Sequence, residues 1–161
     1  MKYRKALQGG FTLIELLITV ALLAILLAMV GSLTGGWIDR AQAQGAQSNL
    51  KAAISRARAA AIRNPENRSA NAAAASACID STALTITVYQ ITGANTACDA
   101  GNTLLRTATY AAGVGFSQAG ASVSCFVFSP NGIVIASGSC ATTLETITIK
   151  KNNEEEVIDA I

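Results

Sequence analysis

The stretch FTLIELLITVALLAILLAMV, residues 11–30, decides how the chain is organised. It is apolar except for two threonines and one charged residue, Glu15. As an α-helix rising about 1.5 Å per residue it is ~30 Å long, the thickness of a bilayer core. Lys2, Arg4 and Lys5 precede it, and this positive flank predicts a cytoplasmic N-terminus. We therefore expect a single membrane-spanning helix with the rest of the chain beyond it.

A Gly9-Gly10 pair lies immediately before the apolar run and offers a cleavage point there. Cleavage after Gly10 would leave the helix on the mature chain and create an α-amino group on Phe11. A carboxylate inside a membrane span is costly unless it is paired, so this amine is a natural partner for Glu15. The alternative is an ordinary secretory signal, cleaved after the run at small residues such as Ser32.

The sequence Gly10-Phe11-Thr12-Leu13-Ile14-Glu15, followed by an apolar helix, resembles the type III signal of type IV pilins and type II secretion pseudopilins. The resemblance implies that a prepilin peptidase cleaves after Gly10 and that Phe11 is then N-methylated. It also implies that Glu15 pairs with the amine of a neighbouring subunit during assembly. The chain departs from many pilins at Ser32, where they carry a helix-kinking proline.

Beyond Gly36 the sequence becomes amphipathic, and Trp37 stands where a helix would leave the lipid, a common position for Trp. Apolar residues then recur at spacings of three or four, which predicts a helix with one buried stripe: Ala43, Ala46, Leu50, Ile54, Ala57 and Ala61. Asn64-Pro65 should end this helix. We predict one long helix over residues 12–63, whose second half packs on a globular head.

This interpretation divides the chain into four parts. They are a leader (1–10), the transmembrane and assembly half of the helix (11–36), its amphipathic half (37–63), and a β-rich periplasmic head (64–161).

Basic residues flank the amphipathic stripe, with Lys51 and Arg58 on one side and Arg56 and Arg63 on the other. A basic helix can bind nucleic acid, but no aromatic residue lies among these arginines to stack on bases. The net charge of the whole chain is only +2. We interpret the basic residues as a solvated rim, and nucleic acid is a disfavoured partner.

The composition of the 161-residue chain excludes several kinds of chemistry. It contains no His, which removes Ser-His-Asp and Cys-His catalysis and disfavours most zinc sites. The sequence also lacks a clustered D-x-D loop of the kind that binds calcium. Charged residues are 14% of the chain, against roughly 25% in soluble globular proteins. We expect no enzymatic activity, no metal and no cofactor.

From Thr82 onward the apolar pattern changes to a period of two. Residues 83–91 alternate apolar and polar side chains, which is typical of a half-buried strand. Ser129-Pro130-Asn131-Gly132 is a turn signal, and the low-complexity region 72–77 is interpreted as a mobile loop. Further strands are predicted over 104–111, 123–128, 133–137, 144–150 and 154–161. The predicted fold class is α+β, a type IV pilin fold with an antiparallel sheet beside the helix.

The four cysteines are Cys78, Cys98, Cys125 and Cys140, and none forms C-x-x-C. An exported head would meet an oxidising periplasm, where disulfides persist. Three connectivities are possible. We favour Cys78–Cys98 with Cys125–Cys140 because each pair closes a short local loop. Four reduced thiols are the alternative.

Two further stretches narrow the resemblance. Ile54-Ser-Arg-Ala-Arg-Ala-Ala-Ala-Ile-Arg63 is similar to the A-R-x-x-A-I-x-R/K stretch of the pseudopilin-H family, and Phe126-Val-Phe-Ser-Pro-Asn-Gly-Ile-Val134 resembles its F-x-P-x-G signature. That family includes a type II secretion minor pseudopilin and the FimT- and FimU-like minor type IV pilins. DNA-binding FimT-like members have an Arg-rich C-terminal motif, whereas this tail carries Glu154, Glu155 and Glu156. The departure favours a FimU-like structural role.

The resemblance implies a minor pilin that helps to prime pilus assembly and joins the tip complex, with roles in twitching motility and adhesion. Its partners would be other minor pilins, the major pilin, the prepilin peptidase and the inner membrane, with the head periplasmic until assembly into the fibre. Alternatives are a type II secretion pseudopilin of the H type, a DNA-binding competence pilin, and a single-span protein that never assembles. We also hypothesise that the acidic tail docks on a basic surface, either in the same chain or in the next subunit.

Overall fold

The computed structural model describes residues 11–159, apart from the side chains of residues 29–34. The chain divides into two compact units, Met1–Trp37 and Ile38–Ile161. One helix, α1, runs over Leu13–Arg63, so the long helix predicted for residues 12–63 is confirmed. Gly10 and residues 160–161 of the predicted last strand lie outside the described residues.

Within the first unit, the described part of α1 is exposed along its whole length. Each Leu, Ile and Val from Leu13 to Leu27 has more than half of its surface exposed. Within the residues that the structure describes, no helical segment reaches the length and apolar character of a membrane span.

The second unit contains two antiparallel four-stranded sheets beside its part of the helix. Sheet A has the strand order β3-β2-β1-β6, and sheet B the order β5-β4-β7-β8. The strands of sheet A are β1 (Ala75–Asp80), β2 (Thr85–Gln90), β3 (Thr103–Thr109) and β6 (Cys125–Phe128). The strands of sheet B are β4 (Val114–Gln118), β5 (Ala121–Ser122), β7 (Ile147–Lys151) and β8 (Glu154–Ile158). The α+β class with antiparallel sheets is consistent with a pilin fold.

The core of this unit forms where the helix stripe meets the two sheets. All members of the predicted stripe are buried, and Leu50 and Ala57 are fully so. Phe126 and Phe128 of β6 and the isoleucines of β7 belong to the same core. Because the helix contributes mostly alanines, the backbone of α1 can lie close to the sheets, and the large side chains come from the strands.

The prediction of a mobile loop over residues 72–77 is wrong. Its second half, residues 75–77, belongs to β1, which pairs with β2 on one side and β6 on the other and has its first four residues buried. Alanine is a poor strand former by itself, but small side chains suit a strand that packs against an alanine-rich helix. Tertiary packing therefore overrides the local composition here.

The other strand predictions differ from the structure in two places. Residues 133–137 form no strand; Val134 makes a single bridge to Phe128. Strands β4 and β5 were not predicted, since a short strand and a two-residue strand give little alternation to detect. The remaining predicted strands match β2, β3, β6, β7 and β8 to within a few residues.

Candidate processing and assembly site

Thr12 caps the start of α1, and Glu15 stands three residues inside it. The backbone N–H of Glu15 donates to Thr12 Oγ1 over 3.4 Å and to the Thr12 carbonyl over 3.1 Å. Thr followed three residues later by Glu is a capping-box sequence. A carboxylate in the first helical turn is favoured by the positive end of the helix dipole. The N-terminal motif thus starts a well-formed helix and fixes where Glu15 lies on it.

The apolar side chains that follow cover every side of the helix. At about 3.6 residues per turn, positions 13–27 include Leu, Ile or Val in all directions around the axis. A helical segment with apolar side chains all round has no face suited to water, so apolar surroundings favour it. Phe11 stands at the start of this surface and is 84% exposed.

The two stretches that resemble the pseudopilin-H family meet in the head. The Arg58 guanidinium lies over the Phe128 ring, 5.8 Å from its centroid, in cation–π geometry. Gly132 has a φ of 74°, and a Cβ placed on it would lie 3.1 Å from Ile62 Cδ1 and 3.3 Å from Arg58 Cγ. The positive φ favours glycine at position 132, and a side chain there would press on Ile62 and Arg58 at the end of the helix.

The remaining arginines of the predicted rim have different surroundings. Arg56 and Arg63 line a pocket of about 320 Å³ that also contains Leu105 and Glu66. Arg63 stands in the last helical turn, where a positive charge is favoured by the helix dipole. A carboxylate beside these guanidinium groups weakens the attraction of this pocket for phosphate.

The acidic tail docks in the same chain at the start of the head. Glu156 Oε1 lies 3.4 Å from Arg40 Nε and accepts a hydrogen bond of 3.0 Å from Gln44 Nε2. Gln47 Nε2 donates to the Val157 carbonyl over 2.8 Å, so helix side chains cover the outer edge of β8. Among the described acids of the tail, Glu156 is the one that forms an ion pair with the helix, so the docking hypothesis is confirmed for this residue within the same chain.

Two disulfides hold loops against the outer face of sheet A. Cys78 of β1 is joined to Cys98, and Cys125 of β6 to Cys140, which are the two pairs that the sequence favours. Closing loops of 20 and 15 residues stabilises the fold by roughly 3 kcal/mol each in the chain-entropy account. The sulfur atoms of Cys98, Cys125 and Cys140 lie within 4.8 Å of one another. They are oxidised in the two disulfides, and thiolates are what a metal would need.

Comparison with known proteins bears on the N-terminal part of the chain. Residues 5–31 match the family model described as the prokaryotic N-terminal methylation motif. This match supports a type IV pilin-like protein. The motif, which is prepilin-type, spans Gly10, Phe11 and Glu15 and continues into the apolar helix. No curated protein and no solved structure matches the chain.

The match has several consequences for this pilin-like protein. It supports a pilin or pseudopilin, a structural and typically non-enzymatic kind of protein, and suggests membrane anchoring followed by assembly into a fibre. It also implies that the protein assembles with other pilins and is recognised by the prepilin peptidase. The match ends at residue 31, so it says nothing about the head.

Proposed function

We propose that the protein is a minor subunit of a type IV pilus, FimU-like in role, that helps to prime assembly and joins the tip complex. One observation carries the proposal. The methylation motif leads directly into a helical segment, residues 13–27, that has apolar side chains on all sides and bears a single carboxylate in the first turn. Such a helix suits a subunit that exchanges lipid for neighbouring helices.

In this proposal the chain is made with a leader, residues 1–10, that the prepilin peptidase removes after Gly10. The new amine on Phe11 is methylated but keeps its positive charge, as an alkylated amine does. Before assembly, residues 11–36 hold the protein in the inner membrane with the head in the periplasm. During assembly Glu15 receives the amine of a neighbouring subunit, which satisfies a charge that would be costly in an apolar setting.

The exchange of lipid for protein is physically reasonable because both surroundings are apolar. Lipid tails are as apolar as leucine side chains, so bundling gains little from the hydrophobic effect and depends on packing and polar contacts. A single buried ion pair then has a large influence on where a subunit can enter the bundle. This gives Glu15 the role of setting register rather than of adding bulk stability.

The head supports the finer assignment in two ways. The contacts of Arg58 and Ile62 with Phe128 and Gly132 join the two stretches that resemble the pseudopilin-H family. The tail that would carry arginines in a DNA-binding member carries acids here, and Glu156 is engaged with Arg40. Both features favour a structural subunit over a DNA receptor.

A strain lacking this protein tests the proposal against its nearest alternative, a type II secretion pseudopilin. Surface pili are counted by electron microscopy, and exoprotein secretion is assayed in the same culture. We expect few or no pili with normal secretion, restored by the native chain supplied in trans. Normal pili with blocked secretion would assign the protein to the type II secretion machine. No change in pili or in secretion would refute both assignments.

A further inference from the structure

The outer face of sheet A, opposite the helix, carries a second and smaller core. Ile91, Ala97, Val127 and the half-buried Ile135 pack there around the two disulfides. Ser76 of β1 donates a hydrogen bond to the Ala97 carbonyl, which fixes the loop between β2 and β3 on this face. The Ile135 N–H donates to the Val127 carbonyl over 2.9 Å and fixes the loop after β6 in the same way.

A groove of about 610 Å³ runs over the strands and is bounded by these two loops. Its volume lies within the range of about 300–1,000 Å³ that is usual for small-ligand pockets. The disulfides and the loop hydrogen bonds make its walls rigid, so a ligand would find the groove already formed.

Half of the residues that line the groove carry a hydroxyl group. Thr85 and Thr87 of β2 lie along the sheet, Thr96 belongs to one loop, and Ser137 and Ser139 to the other. Throughout residues 11–159 as described, the hydroxyls of Thr85, Thr96, Ser137 and Ser139 make no hydrogen bond to protein, so they can donate to and accept from a ligand. A half-buried aromatic ring, Tyr89, supplies apolar surface among them.

One charged group lines the groove, the carboxylate of Asp80. Its Oδ1 accepts the backbone N–H groups of Thr82 and Ala83 over 2.8 and 2.9 Å, which holds the carboxylate in place. Its other oxygen remains for a ligand hydroxyl, and a hydrogen bond to a charged acceptor is stronger than a neutral one. Among the residues that the structure describes, no Lys or Arg lines the groove, so phosphate, nucleic acid and acidic ligands would meet a negative charge without a positive one.

We infer that this hydroxyl-lined groove binds a neutral carbohydrate, a short oligosaccharide whose hydroxyls pair with Asp80, Thr85 and the serines of the loop 137–139. A ligand that is rich in hydroxyls and uncharged matches a lining that donates and accepts but carries no cation. The groove belongs to the head, so this inference stands whether the protein serves a pilus or a secretion machine.

The test uses the full-length protein in a detergent without a sugar headgroup. Binding is measured on an array of neutral and anionic di- to tetrasaccharides, and hits are confirmed in solution by saturation-transfer NMR. We expect one or more neutral oligosaccharides to bind and the anionic probes to fail. Preference for anionic probes, or no binding to any neutral probe, would overturn the inference.

Substitutions locate the binding on the protein. Asp80→Asn removes the charge but keeps an oxygen for the backbone N–H groups, and Thr85→Val removes one free hydroxyl while keeping the branched shape. We expect each to weaken binding about tenfold or more. The matched control is Thr148→Val on sheet B, a half-buried threonine outside the groove, which should bind like the native chain.

A blocking variant keeps the test decisive if a substitution in the sheet disturbs folding. Ser139 is exposed on the loop rim, so Ser139→Trp should fill the groove without touching the core. We expect it to abolish binding while its thermal melting matches that of the native chain. Undiminished binding by Ser139→Trp, or equal losses in Thr85→Val and Thr148→Val, would show that the sugar binds elsewhere.

Discussion

At the scale of single residues, Glu15 is the residue whose substitution should affect assembly most clearly. It stands in the first turn of α1, where Thr12 caps the helix, so a neutral replacement should leave the helix intact. We expect Glu15→Gln to be cleaved and methylated like the native chain but to enter fibres at least about tenfold less, the factor that 1.4 kcal/mol of lost pairing produces. Quantitative mass spectrometry of membrane and sheared-fibre fractions measures both steps.

The control for this variant is Thr19→Val, which changes a polar side chain of the same helix whose hydroxyl is already bonded to the Leu16 carbonyl. It should assemble normally. Equal incorporation of Glu15→Gln and the native chain would rule out a pairing role for this carboxylate.

Gly132 is the residue on which the packing of the turn depends. A Cβ there would lie 3.1 Å from Ile62 Cδ1, and the φ of 74° is unfavourable for any other residue. We expect Gly132→Ala to lower the free energy of unfolding by roughly 1–2 kcal/mol, from backbone strain and contact together. Gly138→Ala is the matched comparison, because its φ is 57° but no atom lies within 4 Å of the added Cβ.

Urea unfolding of a soluble fragment, residues 38–161, gives both values. Gly138→Ala should lower the free energy of unfolding by less than Gly132→Ala does. If the two substitutions lower the free energy of unfolding equally, the contact with Ile62 contributes nothing, and backbone strain alone explains the requirement for glycine at position 132.

At the scale of elements, the helix stripe predicts which side chains of α1 hold the head together. Leu50 is fully buried, so Leu50→Ala should cost about 2–5 kcal/mol of unfolding free energy. Ile62 is 57% exposed on the same helix, and Ile62→Ala should cost less than half as much. Thermal melting of the same fragment compares them, and equal losses would contradict the assignment of the buried face.

The turn between β1 and β2 predicts a dependence of stability on pH. Hydrogen bonds from the Ala83 and Thr82 N–H groups lower the pKa of the Asp80 carboxyl below its ordinary value of 3.8. A lowered folded-state pKa means that the stabilising contribution is present above pH 3.8 and is lost as the pH falls through the folded value. Asp80→Asn should show a smaller drop in melting temperature between pH 5 and pH 2 than the native fragment. An identical drop would show that the Asp80 carboxyl does not contribute to the pH dependence of stability.

Some elements of this chain can be predicted from its sequence, and others cannot. Helix α1 was predictable because its apolar stripe repeats at helical spacing and Asn64-Pro65 ends it. Strand β1 was not, because an alanine-rich segment has no alternation and becomes a strand only between β2 and β6. The hydroxyl-lined groove was also hidden, since its lining comes from three strands and two loops that disulfides bring together.

At the scale of the whole molecule, the chain consists of two units with different surfaces. The first presents an apolar helix, and the second buries its own core behind two sheets and two disulfides. The proposed function needs this division, because one part of a fibre subunit bundles with neighbours while the other stays folded in water.

The proposed function requires that the processed chain become part of a surface fibre. The most direct measurement is mass spectrometry of pili sheared from cells and purified free of membranes. We predict a chain that begins at an N-methylated Phe11 and is present at a small fraction of the major subunit. A chain that retains residues 1–10, or that is found in the membrane fraction and never in the sheared fibres, would contradict the account.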